Sequence, residues 1–169
     1  MKPHLIFAAL ALSLTGCGLQ PLYSGGSAGV VATTLTQIEV APIQGKSGWL
    51  MSTALADRLQ AGKVSPVYRL DVRLDDKISG LGVRRDNSVA RERRTLRARY
   101  QLTNIADGTV LLDATAGSDA GIDAVGSEYA TIAAENTALE RLSGIVADQI
   151  VARIALYVQR TPPAPTPAP

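Results

Sequence analysis

Apolar and polar residues alternate with a period of two along three stretches of this chain, and recur at helical spacing along two others. In residues 68–75, Tyr68, Leu70, Val72 and Leu74 share one face while Arg69, Asp71, Arg73 and Asp75 share the other. In residues 95–103, Leu96, Ala98, Tyr100 and Leu102 point one way, and Thr95, Arg97, Arg99, Gln101 and Thr103 the other. A turn over Asn104–Thr109, with Asp107-Gly108 at its tip, leads into Val110, Leu112, Ala114 and Ala116 on the same apolar face. Such clean alternation predicts an antiparallel meander with one packed face and one polar face. Residues 35–43 read as a further strand, closed by Pro42.

The packed face needs a cover. Leu50, Met51, Ala54, Leu55 and Leu59 predict a short amphipathic helix over 48–61, with Ser47 as N-cap and Gly62 as the stop. Ile132, Leu139, Leu142, Val146, Ile150, Ile154 and Tyr157 predict a long helix over 127–159. Ser127 suits its N-cap, Glu128 suits the positive end of its dipole, and Gly144 is where so long a helix would bend. The expected fold is α+β: a two-layer sandwich with a four-stranded, largely antiparallel sheet and two helices on one face.

The ends differ in kind from this middle. Lys2 and His4 precede ten residues, Leu5–Leu14, that carry a single hydroxyl. This run is too short to span a bilayer as a helix and has the length of a signal-peptide core. It leads through Thr15-Gly16 into Cys17, the one cysteine of the chain. Leu14-Thr15-Gly16-Cys17 resembles the lipobox of bacterial lipoproteins. In that class the cysteine sulfur is diacylated and the chain is cut before it. A lone thiol in an oxidising compartment is a liability that acylation removes. By the same resemblance, Gly18 rather than Asp after the cysteine favours the outer membrane. The expected organisation is therefore a signal peptide (1–16), a lipidated flexible tether (17–34), a folded domain (35–160) and a proline-rich tail (161–169). No further apolar stretch approaches 18 residues.

Cleavage removes His4, the only histidine, so the mature chain has neither imidazole nor free thiol. That excludes Ser-His-Asp and Cys-His catalysis, and with them the usual zinc ligands. There is no phosphate-binding G-x-x-x-x-G-K-[ST] loop. Asp71, Asp75 and Asp76 are the only candidates for carboxylate chemistry, and the first two alternate with Arg69 and Arg73 as solvated charges do. No catalytic residue, metal or cofactor is expected. Export and an aromatic content of 4% argue against nucleic acid. The charge is concentrated instead: between Arg84 and Arg99 there are seven arginines against Asp86 and Glu92.

Three stretches in order carry a family resemblance. The first is Gly16-Cys17-Gly18-Leu19-Gln20-Pro21-Leu22-Tyr23, where the family pattern has Phe in place of Leu19. The second is Gly82-Val83-Arg84-Arg85-Asp86 before an arginine-rich strand, and the third is Gly126-Ser127-Glu128-Tyr129-Ala130 before a long helix. Together they resemble the LPS-assembly lipoprotein LptE in its alphaproteobacterial form. The resemblance implies a non-enzymatic lipoprotein that plugs and supports the LptD β-barrel at the outer membrane and contacts lipopolysaccharide. Arg84, Arg85, Arg91, Arg93, Arg97 and Arg99 are then the candidate contacts, because guanidinium binds acidic oxygens bidentately. Three roles stay open for them: lipopolysaccharide contact, barrel contact, or simple solubility of an exposed face. An auxiliary lipoprotein of an ABC-type envelope lipid transporter is the alternative function, and a carboxylate hydrolase the more distant one.

Acylation at Cys17 is directly testable. Cys17→Ala should abolish labelling of the chain by a fatty-acid analogue and leave an uncleaved or soluble form. Labelling that persists in the variant would show that this cysteine is not the anchor.

Overall fold

The computed structural model describes residues 29–62, 64–83, 89–123 and 127–161. The signal peptide, Cys17, most of the tether, the proline-rich tail, and Arg84 and Arg85 lie outside the described residues. The elements run α1 (Val30–Thr36), β1 (Ile38–Val40), α2 (Gly45–Leu59), β2 (Tyr68–Val83), β3 (Val89–Asn104), β4 (Val110–Asp123) and α3 (Glu128–Arg160). The sheet order is β1-β2-β3-β4. β1 runs parallel to β2, reached through α2 as a parallel crossover requires, and β2, β3 and β4 are antiparallel. The α+β two-layer architecture is as the alternation predicts.

The core lies where the period of two places it. Leu70, Leu96, Ala98, Tyr100 and Leu102 are essentially fully buried on the inner sheet face. Against them lie Leu139, Leu142, Val146, Ile150 and Ile154 of α3, with Met51, Leu55 and Leu59 of α2 alongside. Each such side chain contributes roughly 1.5–3 kcal/mol by leaving water. The lengths match too: at about 1.5 Å per residue α3 is about 50 Å long, and so are the long strands at about 3.3 Å per residue. By length and hydropathy α3 would qualify to cross a membrane, but half of its most apolar stretch is buried inside the domain. Ser127 caps it as expected, its Oγ accepting from the Ala130 N–H at 3.5 Å.

α2 runs parallel to α3 and in step with it. Lys46 Nζ donates to Asn136 Oδ1 at 2.6 Å, and twelve residues further along both helices Arg58 Nη2 donates to Asp148 Oδ2 at 3.1 Å. That bond holds the Asp148 carboxyl below its ordinary range and raises Arg58. Because α2 begins level with residue 135, the first two turns of α3 project beyond it. Ile132, expected in the core, is accordingly 46% exposed.

Four expectations are corrected. Residues 30–36 are neither tether nor strand but helix, since Val31 and Leu35 are one turn apart and both buried, while Thr34 Oγ1 donates back to Val30 O at 2.8 Å. The first strand shrinks to Ile38–Val40, and Pro42 follows just after it. α2 begins at Gly45, with Gln44 rather than Ser47 at the N-cap. Gly48 there sits beneath the Ile43 carbonyl, 2.5 Å from where a Cβ would stand, so no other residue fits without backbone movement. Finally, Val110 is 51% exposed instead of inward. A register shift between Leu102 and Thr103 places Val110 opposite Thr103, on the outer face, while Leu112 faces Leu102 on the inner one.

The long strands also run further than alternation predicts, because the inward positions beyond Leu74 and Leu96 are charged. They are Asp76 and Arg94, with side chains only 18% and 12% exposed. Arg94 Nε and Nη2 donate to the two Asp76 carboxylate oxygens at 2.8 and 2.6 Å, and Nη1 donates to the Glu135 carbonyl of α3 at 2.9 Å. One guanidinium thus ties two strands and the long helix together. Breaking such a pair costs more than replacing it. Arg94→Ala, which strands Asp76, should lower the unfolding free energy by about 2–3 kcal/mol in urea titration. Arg94→Met with Asp76→Leu should stay within about 1 kcal/mol of wild type.

Candidate functional site

The outer sheet face carries the charge. Arg91, Arg93, Arg97 and Arg99 stand on it in one row along β3, neighbours two apart being about 7 Å from one another. The row is flanked on one side by Arg69, Asp71, Arg73, Asp75 and Lys77 of β2, and on the other by Asp113, Asp119 and Asp123 of β4. The shift at Leu102/Thr103 creates this arrangement. A one-residue slip exchanges the two faces of a strand. Without the shift, the β4 acids would turn inward and Ala114 and Ala116 outward.

With this register most of the row is neutralised within the protein. Arg91 Nε donates to Asp123 Oδ1 at 2.9 Å, directly across the strand pair. Arg93 lies 3.8 Å from Asp119, and Arg99 reaches Asp113 with Nε at 3.3 Å and Nη2 at 3.0 Å, both on the diagonal. Asp113 also accepts from Gln101 Nε2 at 2.8 Å. The hydrogen bond from Arg99, then that from Gln101, holds the Asp113 carboxyl below its ordinary range, and the same bond raises Arg99.

Arg97 is the exception. Its direct neighbour on β4 is Gly117, and its diagonal neighbour, in the position Asp113 and Asp119 take for Arg99 and Arg93, is Thr115. The acids that do flank it, Asp75 directly across on β2 and Asp119 on the other diagonal, lie against Lys77 and Arg93 instead. Among the described residues Arg97 makes no ion pair. Its side chain lies across Gly117, with Nη1 only 3.2 Å from where a Cβ would be. Glycine is therefore what gives this arginine room. Arg73 on β2 is the second cation of the face without a carboxylate partner among the described residues, and its direct neighbour is Arg99. Arg73, Arg99, Asp71 and Gln101, with Ala41 and Pro42 at the end of β1, line an open hollow of about 540 Å³.

Of the expected site residues, then, Arg91, Arg93, Arg97 and Arg99 are brought together, and Arg84 and Arg85 lie outside the described residues. Arg73 is visible in the sequence as an outward residue, but only the register pairs it with Arg99. Arg94 belongs to the inner face, which its parity with Leu96 already signals. Asp71 and Asp75 face outward beside Arg69 and Lys77, at 3.3 and 3.0 Å, whereas Asp76 faces inward. No group of acids, histidines or cysteines among the described residues could hold a metal ion.

Solved lipoproteins superpose on this fold. A lipoprotein from Caulobacter crescentus superposes with a TM-score of 0.67 at 24% identity, over 80% of this chain and 100% of that one. Rare lipoprotein B from Shewanella oneidensis gives 0.53 at 12%, over 73% and 96%. Lipoprotein B from Nitrosomonas europaea gives 0.55 at 12%, over 72% and 82%. At these identities the likeness is one of fold, and it defines the class as a small α+β domain. None of the curated proteins matches the sequence. The model of the lipopolysaccharide-assembly family LptE matches residues 35–154, and the chain belongs to that family.

The two faces of β3 should respond differently to charge. Leu96 is 0% exposed, so Leu96→Asp should cost several kcal/mol or unfold the domain. Arg97→Asp with Arg99→Asp removes only an exposed pair and should cost about 1 kcal/mol or less. Thermal melts followed by circular dichroism distinguish these outcomes.

Proposed function

We propose that this lipopolysaccharide-assembly protein is the lipid-anchored partner of the LptD β-barrel at the outer membrane. There it plugs and supports the barrel and helps deliver lipopolysaccharide to the outer leaflet. The family match supports the pathway. The observation that carries the site is the outer face of β3, where Arg97 stands exposed and makes no ion pair among the described residues, its cross-strand neighbour Asp75 being held by Lys77. Phosphates and other acidic groups on the inner sugars and lipid A suit a planar guanidinium with free donors. Arg99 can contribute by exchanging Asp113 for the incoming anion, and so contributes less. Acids on the barrel wall would be recognised by the same chemistry. Neither role requires a catalytic group.

Two measurements test this. Pull-down of the tagged full-length protein from detergent-solubilised outer membrane should recover LptD, and its absence would remove the barrel from the reading. Binding to purified lipopolysaccharide and to LptD should then be compared across variants. A hydrogen bond to a charged group contributes roughly 1.5–3 kcal/mol, so Arg97→Asp should weaken binding to one of the two by about tenfold or more. Arg99→Asp should weaken it less. If folded Arg97→Asp protein bound both as wild type does, the arginine row would be only a solvated surface.

A further inference from the structure

β2 has one edge that no described residue covers for most of its length. β1 pairs with it only from Tyr68 to Leu70, and the last bond on that side is from the Ala41 N–H to the Leu70 carbonyl. β2 then continues to Val83 with β3 as its only strand partner among the described residues. The Tyr68 N–H and the Leu70 carbonyl both point to the β1 side, and the pairing with β3 continues to Leu81 without a register shift. The N–H and carbonyl groups of Val72, Leu74, Asp76 and Ile78 must therefore point outward along this edge. No hydrogen bond to them is made by any described residue outside β2 and β3. The opposite edge of the sheet is treated differently, since the Gly117 N–H of β4 donates to Gln149 Oε1 of α3 at 3.1 Å.

Exposed edges are usually blunted by proline, bulges, or lone charges that repel a second strand. Here the outer-face charges instead alternate in sign: Arg69, Asp71, Arg73, Asp75, Lys77. The one inward charge, Asp76, is already neutralised by Arg94. We propose that this edge pairs antiparallel with the same edge of a second copy of the chain, about a twofold axis at Leu74. In that register Leu74 faces Leu74, Arg73 faces Asp75 and Asp71 faces Lys77, each charge pair occurring twice. Leu74 and the even-numbered residues form the hydrogen-bonded pairs, about six bonds in all. The outer-face charges occupy the non-bonded positions, where side chains come closest.

Charge excludes the registers centred on odd-numbered residues, and the one centred on Val72, which is also complementary, would need the Leu70 edge that β1 and Ala41 already occupy. Centring the axis on Arg73 sets Arg73 against Arg73 and Asp71 against Asp75. Centring it on Asp75 sets Asp75 against Asp75 and Arg73 against Lys77. The second copy also supplies what Arg73 lacks, a carboxylate opposite it on the side away from Arg99. The axis is normal to the sheet, so the product is one continuous sheet with every helix on the same side. The pairing does not rest on the proposed function, and because a paired copy cannot at the same time plug a barrel, it describes the chain before or apart from that role.

The test uses two differently tagged copies of the full-length chain, expressed together, solubilised in detergent and purified through one tag. The second tag should co-purify from wild type. Arg73→Asp alone and Asp75→Arg alone each convert two attractive pairs into repulsive ones and should reduce its recovery about tenfold. The double variant Arg73→Asp with Asp75→Arg exchanges the charges and should restore it, which a general loss of folding would not do. Absence of the second tag with wild type, single reversals that change nothing, or a double variant that stays separate would each overturn the proposal. LptD recovered in the same wild-type eluate reports separately on the proposed function.

Discussion

The packing of one helix along one sheet face governs this domain. α3 presents Leu139, Leu142, Val146, Ile150 and Ile154 to the inner side chains of β3, and all of them are essentially excluded from water. The hydrophobic term is proportional to area, and a sheet about 50 Å long needs a helix of similar length to cover it. The remaining helices are placed by that one. α2 lies parallel beside α3, tied at Asn136 and Asp148, and α1 closes the top of the core with Val31 and Leu35. Where α3 passes beyond α2, apolar side chains such as Ile132 return to solvent.

The second constraint is the separation of charge by face. A sheet covered on one side can carry charge freely only on the other. Asp76 and Arg94 break this rule on the inner face, and they do so as a bidentate pair with a third bond to the Glu135 carbonyl. That pair substitutes for apolar packing where the core thins. On the outer face, opposite charges pair across β3 and β4 until the pattern runs out at Gly117 and Thr115, and with Asp75 held by Lys77, Arg97 makes no ion pair among the described residues. The face is thus mostly self-neutralised, and its binding potential is concentrated rather than spread along the whole arginine row. Under the proposed function this would narrow the surface available to an acidic ligand from a strand to a few residues.

Much of this is legible in the order of residues alone. The period of two in residues 68–75 and 95–103 assigns inner and outer faces correctly, because burial on one side of a pleated strand leaves no other choice. The stripe from Leu139 to Tyr157, the cap at Ser127 and the shared face of Arg97 and Arg99 follow from spacing and local chemistry, whereas Arg91, expected in a loop, joins their row only because β3 begins at Val89. These are short-range properties: each depends on residues within a few positions of one another.

Other features are settled only by contacts between distant residues. The helix at 30–36 exists because Val31 and Leu35 find a core formed mainly by residues far along the chain. The strands outrun their apolar pattern because Asp76 and Arg94, 18 residues apart, neutralise each other on the inner face. Which arginines have partners is undecidable from spacing, since the shift at Leu102/Thr103 sets the register and hence the acid opposite each base. The uncovered edge of β2 likewise follows from where β1 stops, not from the sequence of β2 itself. Local sequence determines which way a side chain points from its own backbone; what it then meets is decided by register and packing, which the whole chain sets together.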